Sequence, residues 1–157
     1  MKVIEGDQFP DFSILDEDGK RFSLENLKGR TTVLYFYPKD ETSGCTKEAC
    51  SFRDSLKRFE GLGVAVYGAS VDSPESHRAF KAHYNINFML LSDQNRMLVD
   101  KLGIKTLFGT ASRVTFVLDK NTKILKIYPH VAPDYHPLEI IKFLEIQKPI
   151  NIPKATQ

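Results

Sequence analysis

Cys45 and Cys50 are the only two thiols in a chain of 157 residues, so any sulfur chemistry is confined to one stretch. That stretch is Tyr35-Phe36-Tyr37-Pro38-Lys39-Asp40-Glu41-Thr42-Ser43-Gly44-Cys45-Thr46-Lys47-Glu48-Ala49-Cys50. It reads as an apolar strand stopped by a proline, a polar loop, and a helix whose first turn carries Cys45. The thiolate is the reactive form of cysteine, and a helix start with cations nearby favours it. Unpaired backbone N–H groups in that turn carry partial positive charge, which steadies the sulfur anion and any electron-rich oxygen brought to it. Pro38 leaves the strand on one side of the sulfur. Thr42 precedes Cys45 by three residues, where its hydroxyl either bonds the thiolate or the substrate, or caps the helix.

Cys50 adds a geometric constraint. Five residues along a helix give a rise of about 7.5 Å and a turn of about 140°, which sets the two Cα atoms about 8.6 Å apart. A disulfide requires no more than ~6.8 Å and converging side chains. The pair can bond only if the first turns unwind, so it makes a poor staple and a plausible redox switch. Cys45, Ala49, Phe52, Leu56 and Phe59 follow at spacings of four and three and form an inward-facing stripe. Cys50 shares the opposite, wet side with Arg53, Asp54 and Lys57.

Other elements must hold this unit. Residues 12–15 and 20–24 are short strand-like runs around Asp16-Glu17-Asp18-Gly19, a hairpin signal at the N-terminal end. Residues 23–29 look like one helical turn closed by Gly29. Residues 31–37 are β-branched and aromatic with little alternation, which marks a central strand buried on both faces. A second buried strand follows at 64–71, then a helix with Ser73 as N-cap and Pro74 in its first position. A third strand is expected at 88–91. Ser92-Asp93 opens a helix running to Leu102, closed by Gly103. Residues 113–118 and 124–130 read as a hairpin. The last amphipathic helix spans 136–146, with Leu138, Ile141, Phe143 and Leu144 on its apolar side. Strands alternating with helices imply an α/β protein with a mixed central sheet flanked by helices. The strand–loop–cysteine–helix unit points to a thioredoxin-like fold. Residues 1–147 form one expected domain, and 148–157, with two prolines and no periodicity, a loose tail.

Composition narrows the class. A hydrophobic fraction of 41% with 27% charged residues is ordinary for a soluble globular chain. The net charge of +2 comes from scattered lysines and gives no reason to expect nucleic acid. The N-terminus, Met1-Lys2-Val3-Ile4-Glu5-Gly6-Asp7, has no apolar core, so no signal peptide is expected there. The longest apolar run is a strand's length, which does not suggest a membrane partner. The expected location is the cytoplasm.

Pro38-x3-Thr42-x2-Cys45 resembles the active-site motif of peroxiredoxins. Phe36-Tyr37-Pro38-Lys39-Asp40 with Gly44-Cys45-Thr46-Lys47-Glu48-Ala49-Cys50 is similar to the bacterioferritin-comigratory, or Q-type, branch. Gly6-Asp7-Gln8-Phe9-Pro10-Asp11-Phe12, Asp72-Ser73-Pro74-Glu75-Ser76-His77, Leu90-Leu91-Ser92-Asp93 and Arg113-Val114-Thr115-Phe116-Val117-Leu118-Asp119 agree in order. The resemblance implies a thiol-dependent peroxidase for hydrogen peroxide and organic hydroperoxides, serving antioxidant defence and redox homeostasis. In it, Cys45 corresponds to the peroxidatic cysteine and Cys50 to the resolving cysteine of members that close an intramolecular disulfide. Thr42 and Pro38 match the loop residues of the motif. Arg113 matches the arginine facing the thiolate, and Glu48 a residue that steadies that arginine. A thioredoxin-like dithiol is the implied reductant, and no metal, flavin or haem is called for. Q-type relatives are often monomers, so a monomer is expected over a dimer. Ser43 departs from the branch, which usually has proline there, and leaves the loop less stiff.

Plainer readings remain for each residue. Cys45 lies on an apolar stripe, where free cysteines are often inert, and Glu48 is placed as a first-turn acid. A zinc site built from Cys45 and Cys50 with two of His77, His83, His130 and His136 lacks the close pairing such sites use. His77 and His83 read as solvated helix residues. A dithiol oxidoreductase of the same fold normally carries Cys-x-x-Cys, a spacing that Cys45 and Cys50 do not have.

Overall fold

The computed structural model describes residues 1–147, and the expected tail at 148–157 lies outside the described residues. Seven strands form one mixed sheet: β1 (Ser13–Asp16), β2 (Arg21–Ser23), β3 (Thr32–Phe36), β4 (Ala65–Ser70), β5 (Met89–Ser92), β6 (Val114–Leu118) and β7 (Ile124–Tyr128). Their order across the sheet is β2-β1-β5-β4-β3-β6-β7. The four helices are α1 (Ser43–Gly61), α2 (Pro74–Tyr84), α3 (Met97–Leu102) and α4 (His136–Gln147), with a 3-10 turn over Leu24–Leu27. β3, β4 and β5 run parallel, linked through α1 and α2 as crossovers, while β1 and β6 join them antiparallel. This is the expected α/β architecture with its N-terminal hairpin, β1–β2.

β3 is the axis of the sheet, and every residue in it is buried. Its alternation divides the core. Val33, Tyr35 and Tyr37 face α1, α2 and α4, packing with Phe52, Phe59, Phe80, Ile140, Ile141 and Leu144. Leu34 and Phe36 face the layer made by α3 and the N-terminal segment, with Phe9, Phe12, Leu98 and Phe116. Two antiparallel neighbours then place the site. Phe36 at the end of β3 pairs with Val114 at the start of β6, so the residue before Val114, Arg113, arrives beside the loop that follows β3.

Two expectations change. The third helix begins at Met97, not at Ser92-Asp93. Ser92 is held in the sheet opposite Ser70 and Leu15, and the Asp93 carboxylate reaches across the turn to accept Leu98 N–H at 3.1 Å and Val99 N–H at 2.8 Å. The helix therefore starts four residues later than expected, with Asp93 reaching its first N–H groups from outside it. In α4, Ile141 and Leu144 are buried as expected and Phe143 packs half-buried beside them, but Leu138 is exposed and Ile140 takes its place in the stripe.

Candidate active site

Cys45 sits in the first turn of α1 with only 1% of its surface exposed, its side chain among the apolar residues packed on β3. Ala49, Phe52 and Phe59 continue the buried stripe as the spacing indicates, and Leu56 packs against it half-buried. Phe52 stacks on Tyr35 with ring centroids 4.4 Å apart, which seats α1 on the strand. Cys50 lies in the same unbroken helix, half-buried, and both thiols are free.

Arg113 is the centre of the polar geometry. Its Nη2 donates to Cys45 Sγ at 3.3 Å, and its Nη1 donates to Glu48 Oε1 at 2.6 Å. One guanidinium thus serves the sulfur and a carboxylate that has no solvent exposure. Such a fork suits arginine, whose planar donors are fixed relative to one another. Gly44 makes room for it: a Cβ there would lie 3.1 Å from Nη2. Burial pushes the Glu48 carboxyl up from the 4.5 of an ordinary glutamate to about 7, against the opposing pull of Arg113. Its second oxygen, Oε2, is buried without a hydrogen-bond partner. For Arg113, burial acts downward but the charges of Glu48 and Cys45 outweigh it, and its pKa rises. The arginine stays a cation throughout.

Thr42 occupies the N-cap position, yet its side chain makes no capping bond. Instead Oγ1 donates to Lys39 O at 2.8 Å, so its proton is committed within the loop and is not given to the sulfur. Pro38 follows Tyr37, whose N–H extends the sheet by donating to Ala69 O at 3.0 Å, and is itself half-buried. Glu48 is not the first-turn acid expected, since the first turn of α1 carries no acidic residue; its partner, Arg113, is 65 residues away.

The histidines correct the sequence reading most. His83 is exposed as expected, but His77 is fully buried. His77 Nδ1 meets Asp40 Oδ2 at 2.8 Å, and Nε2 meets Leu91 O at 2.9 Å. His77 belongs to the buried stripe of α2 with Pro74 and Phe80, a three-residue spacing legible in the sequence. His136 is buried too, with Nε2 at 2.7 Å from Thr115 Oγ1. Burial lowers its pKa, partly offset by its bond to Glu139. Asp40, Asp72 and His77 bring one possible ligand atom each within 4.8 Å of one another, a set that contains neither cysteine. Those atoms are already occupied by internal hydrogen bonds, so the cluster reads as a polar clasp.

A thiol under a fixed cation, at a helix start and with a second thiol five residues on, can attack an electrophilic oxygen and then be discharged as a disulfide. Several known proteins resemble this chain. Residues 5–127 match the model of the AhpC/TSA family. Peroxiredoxin Q, chloroplastic, from Gentiana triflora is 46% identical over 147 residues, covering 92% of this chain and 68% of that protein. The putative peroxiredoxin bcp of Coxiella burnetii is 40% identical over 148 residues, covering 90% and 98%. Among solved structures, peroxidoxin BcpB from Mycobacterium tuberculosis superposes with a TM-score of 0.86 at 32% identity, covering 92% of this chain and 97% of that one.

Proposed function

The chain belongs to the AhpC/TSA family, as a thiol-dependent peroxidase of its peroxiredoxin Q branch, and on that premise we propose that Cys45 is the peroxidatic cysteine and Cys50 its resolving partner. The Cys45 thiolate attacks one peroxide oxygen. An S–O bond forms as the O–O bond breaks, the sulfur is oxidised to a sulfenic acid, and the other oxygen leaves as water or an alcohol after taking a proton. Arg113 faces the charge that builds on the oxygens as well as the sulfur it already touches. Glu48 holds Arg113 in place. Thr42, its hydroxyl proton given to Lys39 O, has lone pairs left to accept from the peroxide O–H, and Pro38 fixes where the loop leaves β3.

Cys50 then attacks the sulfenic sulfur, an S–S bond forms and water leaves. Both cysteines lie inside α1, so this step requires its first turns to unwind, since five helical residues separate Cα atoms by about 8.6 Å. A thioredoxin-like dithiol returns the disulfide to two thiols by exchange. We assign the whole activity to one domain, residues 1–147, acting as a monomer in the cytoplasm. No helix among the described residues is long and apolar enough to cross a membrane.

The observation that carries the reading is the Arg113 guanidinium bridging Cys45 Sγ and the buried Glu48. Its test is hydroperoxide consumption coupled to thioredoxin, thioredoxin reductase and NADPH, comparing wild type with Cys45→Ser. Turnover by wild type and none by Cys45→Ser is expected. Appreciable turnover by the serine variant overturns the assignment.

A further inference from the structure

Asp40 lies on the loop between Pro38 and Thr42, is 4% exposed, and is the most heavily bonded residue of that loop. Its Oδ1 accepts from Tyr37 Oη at 2.6 Å, while Oδ2 accepts from Ser76 Oγ at 2.8 Å and meets His77 Nδ1 at 2.8 Å. Its backbone N–H donates to Asp72 Oδ2 at 2.9 Å, an oxygen that also receives Ser70 Oγ at 2.6 Å. Leu91 O can only accept, so the His77 Nε2 facing it carries a proton. The ring is thereby locked between β5 and the loop. Residue 40 is tied at once to the end of β3, the end of β4, α2 and, through His77, β5.

The next residue is held quite differently. Glu41 has a φ of 68°, a left-handed conformation unusual for a side chain of its size, and its side-chain partner is His83 at 3.0 Å. The side chains of that second pair are 59% and 44% exposed, whereas those of His77 and Asp40 are 0% and 2% exposed. Solvent-exposed pairs of this sort contribute little, and breaking a buried one is costly. The tether therefore changes from strong to weak between residues 40 and 41.

We propose that the Asp40–His77 pair is a positioning element for Cys45: it fixes residue 40 as the stationary edge of the loop, so that the redox cycle unwinds the chain from Glu41 onward while Asp40 stays seated on α2. The inference rests on the peroxidase reading above and adds to it where the moving part begins. While the loop is folded, the anchor holds the helix start at the height that puts Cys45 Sγ under Arg113. After unwinding, it keeps the freed segment short and returns it to the same place.

Amide hydrogen exchange on the wild-type chain, reduced and then oxidised to the disulfide with diamide, tests this without any variant. The Asp40 and Tyr37 amides, bonded to Asp72 Oδ2 and Ala69 O, report on the anchor; the Thr46 amide, bonded to Thr42 O, reports on the unwinding turn. Oxidation is expected to speed exchange at Thr46 by about a hundredfold or more, and at Asp40 by no more than about threefold. Exchange at Asp40 rising in step with Thr46 overturns the anchor.

Two substitutions read the positioning role. In a Cys50→Ser background, Asp40→Asn should slow oxidation of Cys45 by hydrogen peroxide about tenfold or more, and Tyr37→Phe by a few-fold, since small misplacements cost rate steeply. With both cysteines present, the disulfide-forming step should not slow in either variant. A merely structural role would lower melting temperature and leave both rate constants of the folded protein unchanged, which refutes the proposal. If Cys45 of the wild type fails to react with peroxide, the peroxidase reading falls, whereas the exchange pattern after diamide still decides the anchor.

Discussion

Glu48 offers a test of how much the site costs the fold. It is buried with one oxygen on Arg113 and the other unpaired, and its pKa is raised from 4.5 to about 7. The folded protein therefore holds a proton there that the unfolded chain has released between those values. Stability must fall as pH rises through that window, because the native state binds more protons than the unfolded state. Below pH 4.5 the carboxyl is protonated in both states and contributes no pH dependence. Carried across the interval at ~1.36 kcal/mol per pH unit, the burden above pH 7 is about 3 kcal/mol. Glu48→Gln removes the titration while keeping shape and an oxygen for Arg113. The assay is urea unfolding by circular dichroism from pH 4.5 to 8, with Cys45→Ser in both proteins to take the thiol beside Arg113 out of the comparison. The stability of Glu48→Gln relative to its parent should climb by about 3 kcal/mol across that range, a relative shift of roughly 1–2 M urea in midpoint. A difference that stays flat within about 0.5 kcal/mol refutes the claim that burial, opposed by Arg113, sets this carboxyl.

Three further outcomes follow from the same geometry. Gly44→Ala puts a methyl 3.1 Å from Arg113 Nη2 and should slow Cys45 oxidation about tenfold by displacing the guanidinium, with little change in melting temperature; stopped-flow rates and a thermal melt check both halves. Arg113→Lys cannot span the sulfur and Glu48 with one ammonium, and should lower kcat/KM for hydroperoxide by about a hundredfold. Phe52→Ala removes a fully buried ring stacked on Tyr35 and should cost about 3–5 kcal/mol in denaturant unfolding.

Local periodicity made most of the frame legible. The run 31–37 became β3 because β-branched and aromatic residues without polar alternation suit a strand covered on both faces. The Cys45–Phe59 stripe fixed the orientation of α1 for the same kind of reason, and Ser73-Pro74 marked the start of α2, where Ser73 Oγ accepts Ser76 N–H at 3.1 Å. What escaped were pairings across long sequence separations. Asp40 and His77 are 37 residues apart, and nothing local tells a helix histidine that its carboxylate partner sits on a loop above it. The three-residue spacing of His77 from Phe80 is compatible with the inner face it occupies, but a polar side chain at that spacing reads as wet until its partner is known. Glu48 and Arg113 were joined through resemblance, since only the antiparallel register Phe36–Val114 brings them together. Thr42 shows the limit at a single residue: the spacing gave its N-cap position, and the loop turned its hydroxyl to Lys39 O instead.

The central claim is that Cys45 is the nucleophile and Cys50 discharges it. Reduced Cys50→Ser mixed with one equivalent of hydrogen peroxide, followed by intact mass and peptide mapping with a sulfenic-acid trap, addresses it in one measurement. The account predicts that the peroxide is consumed and that one added oxygen is trapped on Cys45, with no further turnover when thioredoxin alone is supplied. Peroxide left unconsumed, the oxygen found on another residue, or normal turnover without Cys50 would contradict it.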